Sequence, residues 1–358
     1  MDRPHLHRHR GALTNPDCRY DRARREAVDD GWGRDWAEDL PPLVTEVTVD
    51  ATRTILARNQ SPDLPFDRSI NPYRGCEHGC IYCFARPNHA KLGLSPGLDF
   101  ESRLLAKPRA PELLAAELRR PGYRPAPIAI GTNTDPYQPI EGRWRIMRGC
   151  LEVLAAFNHP VMITTKGFGI TRDIDLLAPM AAKGLASVAV SIVTLDRALA
   201  RILEPRAATP ERRLAAIARL AEAGIPVTIL AAPVIPALTD HELEAILGAA
   251  RRAGAISAGF VLLRLPGEVA GLFEDWLGTH FPDRAGRILS LLRQSREGRL
   301  YRSDFGRRMT GSGPVAALLS RRFEVAARRL GLVGREAPSL RRDLFRLPPQ
   351  VGDQLALW

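Results

Sequence analysis

The sequence predicts an α/β fold: a parallel sheet of about six strands joined by helices, followed by a helical C-terminal extension. Two observations predict it. First, five apolar runs have the length and continuity of buried parallel strands: 128–133 (IAIGTN), 161–166 (VMITTK), 187–193 (SVAVSIV), 227–235 (VTILAAPVI) and 259–265 (GFVLLRL). Second, amphipathic stretches alternate with these runs, which implies right-handed strand–helix–strand units. A further strand entering just before Cys76 brings the total to about six, short of the eight of a closed barrel. The chain has 358 residues, 45% hydrophobic and 25% charged, with no long charge run or repeat. Such a chain buries a sizeable core, and global disorder, collagen and coiled coil are excluded.

In chain order, residues 1–60 are polar with little periodicity and read as an irregular N-terminal segment. His5, His7 and His9 alternate there, as a metal-binding run or a basic tip. Residues 61–270 carry the strand–helix array. Within it, Thr209-Pro210 caps and starts a helix lined inward by Leu214, Ile217 and Ala221, and Gly224 stops it. Thr239 and Glu242 form a capping-box pattern, and Gly254 closes that helix. Residues 271–358 read as a basic helical extension, with Ile288, Leu291 and Leu292 on one helix and Val315 to Leu330 on the next, expected to close the open side of the array.

The formal charge is +11, from 51 basic and 40 acidic residues. The surplus is concentrated beyond residue 280, where 16 basic face 7 acidic side chains. Arg307-Arg308, Arg321-Arg322, Arg328-Arg329 and Arg341-Arg342 recur as pairs there. This is the footprint of a phosphate-bearing partner such as nucleic acid, or else a solvated helix face. The N-terminus lacks the apolar segment of a signal peptide, and the longest apolar stretch holds two prolines and is too short for a bilayer span. A cytoplasmic protein with no membrane partner is expected.

Three of the five cysteines fall within eight residues: Cys76, Cys80 and Cys83, spaced C-x3-C-x2-C. An odd cysteine count in a long chain argues against a secreted disulfide framework. A structural zinc site needs four ligands, so His78 or His89 would have to complete it. In a 4Fe–4S cluster, three cysteines leave one iron without a protein ligand, the mark of a reactive centre. Polar residues gather at the C-terminal ends of the strand runs: Thr132, Asn133, Thr134 and Asp135 after one, Lys166 on the next and Ser191 within the one after that. In barrels that rim carries the site. A buried lysine such as Lys166 needs an anion, a ligand carboxylate or a salt bridge to Asp135.

The order of the cysteines, the aromatic before the last and the strand preceding them resemble the radical S-adenosylmethionine superfamily, over residues 68–266. That resemblance implies a partial (β/α)6 barrel with the helical extension. It implies that Cys76, Cys80 and Cys83 hold a 4Fe–4S cluster whose open iron takes the amino and carboxylate groups of S-adenosylmethionine. Reductive cleavage of the sulfonium then yields a 5′-deoxyadenosyl radical that abstracts hydrogen from a substrate. Tyr82, Thr134, Asp135, Lys166, Ser191 and Arg206 become the expected S-adenosylmethionine contacts, with Gly75 and Gly79 letting the backbone approach the cluster. A flavodoxin or ferredoxin is the implied reductant.

Within the superfamily, the stretches INPYRGCEHGCIYCFARP at 70–87 and GTNTDPYQPIE at 131–141 look most like the group around spore photoproduct lyase. The hydrogen-donating cysteine of that lyase falls on Thr132, and a hydroxyl cannot replace a thiol in that role. The chain therefore reads as a relative with its own substrate, which no residue of the sequence identifies. Three functions follow: a radical enzyme on nucleic acid, a radical enzyme on a small molecule or protein, and a non-catalytic iron–sulfur or zinc module.

Overall fold

The computed structural model describes residues 9–20, 43–332 and 339–349. Six parallel strands form its centre: β1 (Arg68–Ile70), β2 (Ile128–Ile130), β3 (Val161–Thr165), β4 (Ala186–Ile192), β5 (Val227–Val234) and β6 (Ser257–Leu262). They lie side by side in sequence order, and Ala57–Arg58 adds an antiparallel edge beside β1. The register sets Ile70 against Ile130, Ile130 against Ile163, and Thr165 against Val190. The sheet stays open among the described residues, a partial barrel of the expected class. Every residue of β1 and β2 and nearly every residue of β4 is buried, as both-faced burial requires.

Helices α1 (Ala110–Leu118), α2 (Ile146–Ala156), α3 (Ile174–Ala182), α4 (Pro210–Glu222) and α5 (Leu243–Arg252) lie between the strands. Thr209 caps α4 as its sequence predicts, its Oγ1 accepting from the Arg212 N–H at 3.4 Å. The inner face of α4 is turned from the expected one. Arg213, Ala216, Ile217 and Leu220 are buried, while Leu214 and Ala221 lie half-buried at its edge. The capping box does not form. Thr239 Oγ1 accepts from the Ile235 N–H at 3.0 Å, and the Glu242 carboxylate reaches to Thr194 and to the Leu195 N–H.

The extension holds α6 (Val269–His280), α7 (Pro282–Gln294) and α8 (Gly313–Arg329). Trp276 of α6 is fully buried and donates through Nε1 to the Ile202 carbonyl at 3.2 Å. It belongs to an apolar cluster that also contains Cys80, Ile81 and Tyr82. The α8 helix packs beside β6, with the Phe260 and Phe323 rings 4.9 Å apart. Beyond α8 the described residues hold no further helix. Residues 339–349 are irregular, with one turn, and Phe345 packs on Tyr123, Phe157 and His159.

The expected irregular N-terminal segment is partly built into the fold. Glu46–Val49 pairs in parallel with Arg103–Ala106, and Arg10 to Ala12 are buried. Glu101 anchors residues 10–12: its carboxylate accepts from the Gly11 and Ala12 N–H groups at 2.9 and 2.8 Å. His5 and His7 lie outside the described residues. Among the described residues, no helix is long and apolar enough to cross a membrane.

Trp276→Ala is expected to lower stability by about 3–5 kcal/mol, through cavity formation beneath the cysteine loop. Urea unfolding monitored by circular dichroism checks it, and a loss under ~1 kcal/mol would show that α6 is not part of this core.

Candidate active site

The cysteine loop leaves the C-terminal end of β1, so the three thiols lie at the rim shared by the ends of β2, β3 and β4. All five cysteines are free. Cys76 and Cys80 are buried and Cys83 half-buried. Cys18 and Cys150 are elsewhere: Cys18 donates to the Ala90 carbonyl, and Cys150 lies in the core on α2. Burial pushes the Cys80 thiol up to about 12 and raises Cys76 as well. Among the described residues, no three His, Cys, Asp or Glu side chains are grouped to hold one ion. Of the two histidines a zinc site would use, His89 is committed, its Nε2 3.0 Å from the Arg103 carbonyl, while the buried His78 Nδ1 lies 3.4 Å from Asp135 Oδ2 without a hydrogen bond. The donor set fits a cluster better: one soft thiolate serves each iron, so the three sulfurs need not converge on a point.

Arg86 holds the loop in shape. It is wholly buried and donates to the carbonyls of Gly79 (3.2 Å), Cys80 (3.0 Å), Pro96 (3.1 Å) and Gly97 (2.9 Å), and to Glu101. Gly75 and Gly79 are left-handed, at φ 74° and 66°. A Cβ on Gly75 would meet Leu104 at 2.5 Å, and one on Gly79 would meet Glu101 at 2.6 Å, so both glycines admit the packing behind the loop.

The expected contact residues are brought to one rim, but most of their polar atoms already have protein partners. Thr134 Oγ1 donates to the Tyr73 carbonyl at 3.0 Å. Asp135 accepts from Thr165 Oγ1 (2.7 Å), the Tyr137 N–H (2.9 Å) and the Lys166 N–H (2.6 Å). It ties β2 to β3 and has little left for a ligand. Ser191 Oγ donates to the Ala232 carbonyl at 2.9 Å. Arg206 pairs with Glu77 at 2.9 Å. The Lys166 ammonium has a different partner from the one anticipated. It lies 3.7 Å from Glu204 Oε1, not against Asp135, and 5.6 Å over the Tyr82 ring.

Glu204 and Arg213 are the residues that sequence reasoning missed. The Glu204 side chain is 0% exposed and accepts from the Tyr82 hydroxyl and from Arg213 Nη2. Burial opposes its charge, but Arg213 and Lys166 outweigh burial and hold it below the usual carboxylate range. Arg213 also donates to the Ser191 and Ala208 carbonyls at 2.9 and 2.8 Å. A usable signal existed: Arg213 lies four and seven residues before the core positions Ile217 and Leu220, on the inward face of α4.

Residues 70–250 match the radical SAM superfamily. The chain belongs to the radical S-adenosylmethionine superfamily. An uncharacterized protein of Mycobacterium tuberculosis is 42% identical over 243 residues, 66% of this chain and 72% of its own. One from Methanocaldococcus jannaschii is 28% identical over 178 residues, 48% of this chain and 62% of its own. Spore photoproduct lyase, solved as a mutant with AdoMet and dinucleoside spore photoproduct, superposes with a TM-score of 0.59 at 16% identity, over 81% of each chain. At that identity the likeness concerns the fold.

Burial raises Asp135, yet His78 and the hydrogen bonds from Thr165 and the Lys166 N–H bring it down to about 2, from an ordinary 3.8. A depressed carboxylate stabilises the fold above its unfolded value and loses that contribution as pH falls. Asp135 therefore contributes ~2 kcal/mol at neutral pH, lost between about pH 4 and pH 2. Urea midpoints measured from pH 7 down to pH 3 are expected to fall less steeply in Asp135→Asn. Parallel acid limbs for the two proteins would contradict this.

Proposed function

We propose that this protein is a radical S-adenosylmethionine enzyme in which Cys76, Cys80 and Cys83 hold a 4Fe–4S cluster. The observation that carries the reading is the facing pair of features at one rim: three free thiols on the cysteine loop, and across from Cys80 a mostly buried Lys166. When bound, the cluster and S-adenosylmethionine supply reductive cleavage of the sulfonium and hydrogen abstraction from the substrate.

The chain's own residues do the rest. Lys166 offers N–H donors to a ligand carboxylate, since Glu204 at 3.7 Å is its one protein anion among the described residues. Tyr82 is fixed by Glu204 and walls the site beside Cys83. Thr134, Asp135, Ser191 and Arg206 act one step back by holding strand ends and the loop in place, and Arg206 reaches the loop through Glu77. Burial of Ile81, Val193 and Leu203 keeps water from the back of the loop.

The substrate differs from that of the lyase the sequence resembles. Thr132 carries a hydroxyl where that resemblance places the donor thiol, and neither Cys18 nor the buried Cys150 takes its place. A nucleic-acid substrate is the first reading, supported by the arginine surplus of the extension. The second, a small molecule or protein, is supported by internal pairing: Arg308 with Asp63, Arg322 with Glu244, Arg307 with Glu297 and Arg341 with Asp343. A nucleic-acid substrate predicts oligonucleotide binding that weakens steeply with salt, and no binding at low salt contradicts it. The reductant proposed is a flavodoxin or ferredoxin.

Anaerobically reconstituted protein is expected to release 5′-deoxyadenosine when reduced with dithionite in the presence of S-adenosylmethionine. Cys80→Ala should lose more of that product than the roughly 10–100-fold that changes around a metal ligand cost, because it removes the ligand itself. Undiminished product from protein lacking all three cysteines would overturn the proposal.

A further inference from the structure

The buried charges around Cys80 do more than hold the loop. Glu204 Oε1 lies 4.0 Å from Cys80 Sγ. The carboxylate has no solvent around it, with a side chain 0% exposed. Two cations face it: Arg213, 2% exposed and fixed by carbonyls, and Lys166, 21% exposed and 3.7 Å away. Two cations and one anion leave the group with one net positive charge beside the sulfur. Charges this deep are screened less than charges in solvent, so each one acts on its neighbours more strongly than it would at the surface.

Resting on the function proposed above, we propose that Glu204 sets the reduction potential of the cluster by standing as a fixed negative charge against its Cys80 ligand. Reduction adds one electron to the cluster. A neighbouring anion makes that addition harder and a neighbouring cation makes it easier. Glu204 therefore holds the potential down, Lys166 and Arg213 raise it, and the site's reducibility is the balance of the three. The arrangement also couples cofactor binding to the cluster. An anionic group that engages Lys166 cancels part of the positive charge beside Cys80 and leaves the Glu204 charge less opposed.

The test is a redox titration of the reconstituted full chain, poised with dithionite without S-adenosylmethionine, with the cluster signal followed by electron paramagnetic resonance. Glu204→Gln keeps the shape and one acceptor oxygen, which can face Arg213 with the amide N–H turned to the Tyr82 oxygen, but removes the charge. Its midpoint potential is expected to shift upward. Lys166→Met is expected to shift it downward, and the double variant to fall between the two. Glu204→Asp keeps the pairing with Arg213 and draws the carboxylate back from Cys80. It is expected to shift the potential upward by less, and it serves where Glu204→Gln takes up no iron. A purely structural role for Glu204 would change the amount of cluster assembled and leave its potential alone. A cluster whose potential is unmoved or lowered in the Glu204 variants overturns this inference alone. A wild-type chain that assembles no cluster overturns it together with the proposed function.

Discussion

The cysteine loop has little regular secondary structure, so its buried backbone carbonyls need donors supplied one by one, and Arg86 supplies them. A single wholly buried guanidinium fixes the carbonyls of Gly79 and Cys80 to those of Pro96 and Gly97. Its charge is matched by Glu101, which in turn receives the N–H groups of Gly11 and Ala12. Breaking such a pair leaves an isolated buried charge, a loss of about 3–5 kcal/mol. The placement of three thiols, the glycine conformations and the docking of the N-terminal residues all depend on this one cation.

A second buried ion group stands on the other side of the loop. Glu204 joins Tyr82 of the loop to Arg213 of α4 and Lys166 after β3. Three separate elements are thereby referenced to one carboxylate. The parallel sheet makes this possible: β3 and β4 are neighbours in register, so the residues following each of them emerge at one rim. The same topology brings Asp135 after β2 to the backbone of Lys166. The rim is thus a lattice of paired polar groups, in which Lys166 has Glu204 at 3.7 Å and the buried His78 Nδ1 makes no hydrogen bond.

The fold was largely legible because apolar continuity and strand–helix alternation are local signals. The strand runs and the cap at Thr209 could be read from a few residues each. The cysteine loop was legible as a candidate site from its spacing and the family resemblance, and Lys166 as a buried cation in need of an anion, which Glu204 supplies. Partners were not legible, since they depend on which strand ends meet. Glu204 stands two residues before Arg206, the residue the resemblance singles out, yet Arg206 pairs outward with Glu77. The capping box at Thr239 failed for the same reason: Glu242 is drawn away by Thr194, a residue 48 positions earlier on the adjoining turn. The Arg pairs of the extension looked like a phosphate groove in one dimension, and in three several of them face carboxylates of the chain itself.

The central claim is that three cysteines hold a cluster with one iron left open to S-adenosylmethionine. The most direct measurement is the electron paramagnetic resonance spectrum of the reconstituted, reduced protein, recorded before and after S-adenosylmethionine is added. The account predicts a reduced 4Fe–4S signal whose shape changes on addition, because the open iron gains ligands. A signal that S-adenosylmethionine leaves unchanged would contradict it.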